Sequence, residues 1–141
     1  MINIGRVVCD REPYFVRDTA TALEAAEFMA ARNIGAVCVL DDGDKLCGIF
    51  SERDLLKRVI VRKLDPSSVP IREVMSEPSA VIECDDTPHN ALELMEKVGS
   101  RHLPVVEGEK FVGMLSMRDI MRVEISEQGA ELQLLHEYIS H

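Results

Sequence analysis

Two short stretches of this sequence carry side chains that can do chemistry. They read Gly-Ile-Phe-Ser-Glu-Arg-Asp over 48–54 and Gly-Met-Leu-Ser-Met-Arg-Asp over 113–119. In each, a serine (Ser51, Ser116) precedes an aspartate (Asp54, Asp119) by three residues, with an arginine (Arg53, Arg118) just before the acid. Two functions fit this spacing. At a helix start, Ser-x-x-Asp is a capping box, in which the hydroxyl accepts from a backbone N–H and the acid reaches back. A carboxylate held where a strand runs into a helix can also accept two hydrogen bonds from vicinal ribose hydroxyls, and the helix N-terminus suits phosphate. The preceding glycine would let a ligand approach the backbone. An arginine in a first helical turn opposes the helix dipole. Its presence in both stretches therefore favours a phosphate contact or a contact across a dimer.

Other chemistries find little support. The four cysteines include no C-x-x-C pair, and Cys38 and Cys47 lie in apolar runs where cysteine acts as a small hydrophobe. Cys84 stands beside Asp85 and Asp86, without the positive neighbours that a reactive thiolate needs. His89, His102, His136 and His141 show no metal-binding spacing. No nucleophile–base pair is recognisable, so the chain is expected not to be an enzyme. A net charge of −9 argues against nucleic-acid binding, and aromatics at 4% argue against base-stacking platforms. The apolar runs are too short for a membrane span, and no signal-like stretch opens the chain, so a cytoplasmic location is expected.

The elements that position the two aspartates repeat. Residues 19–57 align with 85–122 at a period of about 65 residues. Thr21, Ala25, Met29, Val39, Gly48, Ser51 and Asp54 recur as Thr87, Ala91, Met95, Val105, Gly113, Ser116 and Asp119. Each copy reads β-α-β-β-α. Strands are expected at Tyr14–Val16 and Ala80–Ile82, then helices opened by Thr21 and Thr87. Buried strands follow at Ala36–Leu40 and Leu103–Val106, with return strands at Lys45–Phe50 and Phe111–Leu115. A second helix starts at each motif serine. A unit of about 60 residues is marginal alone, so the two sheets should pack face to face. The expected fold is α/β with mixed sheets: two repeats (1–63 and 64–124) as a pseudo-twofold pair, plus a helical tail (125–141).

This duplicated unit with its Ser-x-Arg-Asp motif resembles the cystathionine-β-synthase (CBS) domain pair, or Bateman module, from Tyr14 to Val123. The resemblance implies binding of an adenosine-containing ligand in two clefts between the copies. In the family, the motif Asp holds the ribose and the Ser contacts ribose or phosphate. The first cleft would take Ser51, Arg53 and Asp54, with Met75, Ser76, Pro78, Ser79 and Ala80 against the adenine. Ser100, Arg101, His102 and Leu103 would complete it. The second would take Ser116, Arg118 and Asp119, the stretch from Cys9 to Tyr14, and Ile34, Gly35, Ala36 and Val37. Because Arg101 and His102 supply charge-assisted donors to phosphate, the first cleft is expected to bind more tightly. Arg101 also reads as a cation at a helix C-terminus, and His102 as a hydrogen-bonded core-edge histidine.

The expected ligand is AMP first and NAD(H) second, with ATP and S-adenosylmethionine as further members of the class. The resemblance also implies a homodimer and regulation of a partner, here a separate effector protein. An apolar stripe at Ile125, Leu132, Leu135 and Ile139 would pack on the module or, as the favoured expectation, join the dimer. The alternative function is a homodimeric scaffold with empty clefts, in which the motifs serve only as helix caps.

Overall fold

Thr21 and Thr87 start the two long helices as the sequence predicts. Their hydroxyls accept from the backbone N–H groups of Glu24 and Asn90 at 3.2 and 3.1 Å. The computed structural model describes residues 3–9 and 11–123. It begins with α1 (Ile4–Val8) and runs through β1 (Phe15–Arg17), α2 (Ala22–Arg32), β2 (Ala36–Leu40) and β3 (Leu46–Ser51). A helical turn, α3 (Glu52–Asp54), widens into π-helical turns over Leu55–Ile60. The second half follows with α4 (Ile71–Val74), β4 (Ile82–Glu83), α5 (Pro88–Val98), β5 (His102–Glu107) and β6 (Lys110–Ser116). Residues 117–123 form the last described helix, α6. The expected tail 125–141 lies outside the described residues.

Each half holds a three-stranded sheet, ordered β1-β2-β3 and β4-β5-β6. The first strand of each runs parallel to the second, and the second antiparallel to the third. Both long helices end in the left-handed region, at Asn33 (φ 54°) and Gly99 (φ 70°). Asparagine and glycine are the residues that tolerate this termination best.

Strand period decides what each sheet buries. In β2, Val37 and Val39 face their own helices and join Ala25, Met29 and Phe50 in the first core. Leu103 and Val105 of β5 do the same against Met95 and Ile120. The alternate residues face the other half. Cys38 and Leu40 meet Phe111, flanked by Phe15, Leu46 and Met114. Here Phe15 and Phe111 pack edge to face at 6.3 Å, and the Cys38 thiol contacts the Met114 thioether at 3.6 Å. Burial pushes the Cys38 thiol up, so it remains a protonated, unreactive hydrophobe. The two sheets thus share this apolar seam.

The two halves exchange short helices. Although it opens the chain, α1 packs on β5 and β6, and the N–H groups of Ile4 and Gly5 donate to Asp86 and Cys84 carbonyls at 3.0 and 2.7 Å. Correspondingly, α4 covers α2 and β3 of the first half, with Ile71 N–H on the Ala20 carbonyl at 2.9 Å. Buried Ile4 and Val8 fill the second core, and buried Ile71 and Val74 the first.

Because Phe111 is 8% exposed in the seam, Phe111→Ala should cost about 3–5 kcal/mol. Urea denaturation should show a lower midpoint with little change in slope.

Candidate functional site

Ser51 and Ser116 end their strands and cap the helices that follow, and the caps set both aspartates. Asp54 N–H donates to Ser51 Oγ at 3.2 Å, and Ser51 N–H returns to Asp54 Oδ2 at 3.0 Å. Asp119 and Ser116 repeat this at 3.1 and 2.8 Å. Each capping box occupies Oδ2 and leaves Oδ1 to another partner. Both aspartates are only 7% exposed, and they are the buried charged residues among those described. Capping and ligand binding are therefore compatible uses of one side chain.

The partners of Oδ1 differ between the halves. At Asp119, Arg11 makes a bidentate pair, with Nη1 to Oδ1 at 2.9 Å and Nη2 to Oδ2 at 2.8 Å. Arg11 Nη2 also donates to the Met114 carbonyl at 2.6 Å. Burial alone would raise the Asp119 pKa. The Arg11 hydrogen bonds, the Ser116 N–H and the Arg11 charge outweigh burial and hold it below the ordinary carboxylate value. At Asp54, Oδ1 instead accepts from the Ser76 hydroxyl at 2.8 Å and lies 3.6 Å from Arg58 Nε. Ser76 also exchanges both backbone hydrogen bonds with Ile49 at 2.9 Å, and Arg58 donates to the Met75 carbonyl. The segment expected against the adenine is thus stitched to β3. Met75 and Ser76 reach Asp54's surroundings as expected. Pro78 and Ala80 are half-buried and Ser79 is exposed.

A cavity of about 970 Å³ opens beside Asp119, within the size range of small-molecule sites. Tyr14, Ile34, Gly35, Ala36, Ser116 and Arg118 line it with Asp119, as the second cleft predicts. Arg101 and His102 line it too. This corrects their expected place beside Asp54. His102 pairs across the sheet with Ser116, and Met117 N–H donates to the Arg101 carbonyl, so both follow their own half's motif. Ser100 is spent on the turn before β5, with its hydroxyl donating to the His102 carbonyl at 2.8 Å. Arg53 is exposed.

Two further expectations are corrected. Val37 and Leu103 are fully buried in the helix-side cores, because strand alternation turns them away from the cleft. Gly48 admits a neighbouring helix in place of a ligand, whereas Gly113 both abuts α1 and lines the cavity. A Cβ on Gly48 would collide with the Met75 thioether, and one on Gly113 would lie 3.3 Å from Val8 Cβ.

The cavity also takes Arg11 from the expected Cys9–Tyr14 stretch, and it recruits Arg32, Glu52 and Arg122, which the sequence reading does not single out. Five arginines in all line it, against Glu12, Glu52 and Asp119. The site is thus locally basic in a chain of net charge −9. Arg32 lies over the Phe28 ring at 3.6 Å, which fixes its stem at the rim. Its position in the last turn of α2 was the available signal, since a terminal arginine also complements the helix dipole.

This fold and paired site define the class of protein. The CBS domain family matches residues 4–61 and 71–126, and the chain belongs to that family as a tandem CBS pair. Among sequence relatives, an uncharacterised protein of Methanopyrus kandleri is 37% identical, over 87% of this chain and 63% of that protein. The mitochondrial CBS domain-containing protein CBSX3 of Arabidopsis thaliana is 34% identical, over 84% and 60%. The chain thus spans somewhat over half the length of these curated relatives. Among solved structures, a putative signal-transduction protein with CBS domains from Burkholderia ambifaria superimposes with a TM-score of 0.81 at 26% identity, covering 90% of this chain and 96% of that one. A CBS domain protein from Pyrobaculum aerophilum, complexed with AMP, gives 0.75 at 28% identity, covering 84% and 89%. No described helix is long and apolar enough to cross a membrane.

His102 offers a test of the site's electrostatics. Burial lowers its pKa below the ordinary 6.5, outweighing the nearby Asp119 and Glu52, and Arg101 adds to the lowering. As pH falls, the unfolded chain therefore takes up the proton first. The resulting stability is present above the ordinary histidine range and is lost as pH falls through it. Between about pH 7 and about pH 5, wild-type stability should fall more than that of His102→Gln, as read by urea denaturation.

Proposed function

We propose that this chain is a non-catalytic regulatory module that binds an adenosine nucleotide in the Asp119 cavity and signals to a separate effector protein. AMP is the first choice and NAD(H) the second. The observation that carries this reading is a buried carboxylate at a helix N-terminus, opening onto a cavity lined by five arginines. The carboxylate suits a ribose diol and the guanidinium groups suit phosphate. Arginines so placed disfavour the sulfonium of S-adenosylmethionine, and ATP remains a competitor. The AMP complex of the Pyrobaculum aerophilum protein supports the ligand class. Preference for this cleft over the Asp54 cleft reverses the sequence expectation by its own logic, since Arg101 and His102 line this one.

Isothermal titration with AMP, ATP, NAD, NADH and S-adenosylmethionine tests the reading. Asp119→Asn should weaken AMP binding at least tenfold, and Arg101→Ala should cost about 1.5–3 kcal/mol. Asp54→Asn should leave AMP affinity within about twofold. Loss confined to Asp54→Asn would move the site to the other cleft. No binding by folded, nucleotide-free protein would favour the scaffold function.

We also propose that the module is a homodimer. Leu56 and Ile60 are 57% and 52% exposed, and Met121, which occupies the position of Leu56 in the second half, is 55% exposed. These large apolar groups recur on the helix after each motif, and a second copy would cover them. Sedimentation velocity should find a dimer for the wild type and a monomer for Leu56→Asp/Ile60→Asp. A dimer unchanged by the double substitution would place the interface elsewhere.

A further inference from the structure

Asp119 is already occupied. Oδ1 accepts from Arg11, and Oδ2 accepts from both Arg11 and Ser116 N–H. A carboxylate offers about four acceptor positions, so a ribose diol finds only one free. Two hydroxyls can bind Asp119 fully only if the Arg11 guanidinium leaves. It is free to do so on its own side, because its side chain is 42% exposed while that of Asp119 is 9% exposed. Arg11 also caps the Met114 carbonyl, the equivalent of the Ile49 carbonyl that Ser76 N–H occupies in the other half. Arg11 therefore fills, from one side chain, two acceptors that line the cavity.

We infer that Arg11 is a specificity-determining residue: a ribose-bearing ligand must displace it from Asp119, and an anionic group on the ligand then recaptures it. This rests on the proposed function and deepens it. The displaced guanidinium loses two charge-assisted bonds in a cavity that already holds four other arginines. A neutral nucleoside gives it no new partner, whereas a phosphate does. Arg11 thus selects for charged nucleotides by penalising uncharged ones, which is discrimination through a cost imposed on the wrong ligand. The Asp54 half holds its acid differently, with Arg58 of the following helix only at ion-pair distance, 3.6 Å. The stretch Ser76–Ala80 supplies no arginine, and Asp54 is held by Ser76 and Arg58.

Titration of wild type, Arg11→Gln and Arg11→Lys with AMP and adenosine separates the possibilities. The wild type should bind AMP at least a hundredfold more tightly than adenosine. Arg11→Gln should bind adenosine at least fivefold more tightly than the wild type does, while AMP does not tighten, and Arg11→Lys should fall between. A plain phosphate contact would weaken AMP and leave adenosine unchanged. That result overturns the inference and leaves the proposed function standing. If neither ligand binds any variant, the proposed function fails and the inference fails with it. Should Arg11→Gln not fold, guanidinium NMR of the wild type gives the same decision. The Arg11 side-chain signals should shift with both ligands at saturation, and unchanged signals in the AMP complex overturn the displacement.

Discussion

A buried carboxylate at the start of a helix must find donors for both oxygens, and this molecule meets that demand twice. One oxygen is satisfied locally by the capping box. The other reaches across to the segment that precedes a first strand, through Ser76 for Asp54 and Arg11 for Asp119. That second bond ties together parts of the chain that are distant in sequence, 108 residues apart for Arg11 and Asp119. The strand end, the helix start and the incoming segment are therefore placed relative to each other by one side chain. Leaving such a group unpaired would cost more than the bond itself contributes, which makes the arrangement a constraint on the fold.

The duplication sharpens the comparison, because the same constraint has two different solutions. In the first half the incoming segment solves it with backbone. Ser76 pairs with Ile49 in both directions, Met75 fills the space over Gly48, and Arg58 holds the segment from the far side. In the second half it is solved with one long side chain, and Val8 fills the smaller space over Gly113. Backbone pairing stitches the incoming segment to β3 beside Asp54. A half-exposed arginine leaves a cavity beside Asp119. Near-identical motifs therefore lead to unequal sites because of residues outside the motifs.

Much of this was legible in the sequence where local chemistry decides. Thr21 and Thr87 marked helix starts, the unbroken run Ala36–Leu40 marked a strand buried on both faces, and the duplicated serine and aspartate marked the caps. The family resemblance extended that to the cleft around Ile34–Ala36 and Asp119. What failed depended on direction. Val37 and Leu103 were adjacent to cleft residues, but a strand turns alternate side chains to opposite faces. Arg101 and His102 line the Asp119 cavity and not the Asp54 cleft because β5 pairs with β6 of its own half, which carries Ser116. The exchange of α1 and α4 was not legible, because neither helix lies within the repeat read over 19–57 and 85–122. The resemblance placed the stretch Cys9–Tyr14, and so Arg11, beside Asp119, but a lone arginine in a connecting stretch has no pattern to betray its pairing with that acid.

The position of the cavity gives the tandem arrangement its physical consequence. Its walls come from both halves: Ile34, Gly35 and Ala36 from the first, Ser116 and Asp119 from the second. Any change in the angle between the sheets changes the cavity, and any ligand that fits one angle better shifts the balance between angles by its difference in affinity. Linkage makes that coupling reciprocal, so whatever holds the halves at one angle also tunes the affinity. The seam around Phe111, Cys38 and Met114 is where such a rotation must be accommodated. It is built from a flexible thioether, a small thiol and an edge-to-face aromatic pair, and its sulfur–sulfur hydrogen bond is far weaker than the backbone pairing that stitches Ser76 to β3. An apolar seam of this kind tolerates small changes of angle better than a hydrogen-bonded network does, because dispersion contacts are non-directional and only the aromatic pair has an orientation to keep.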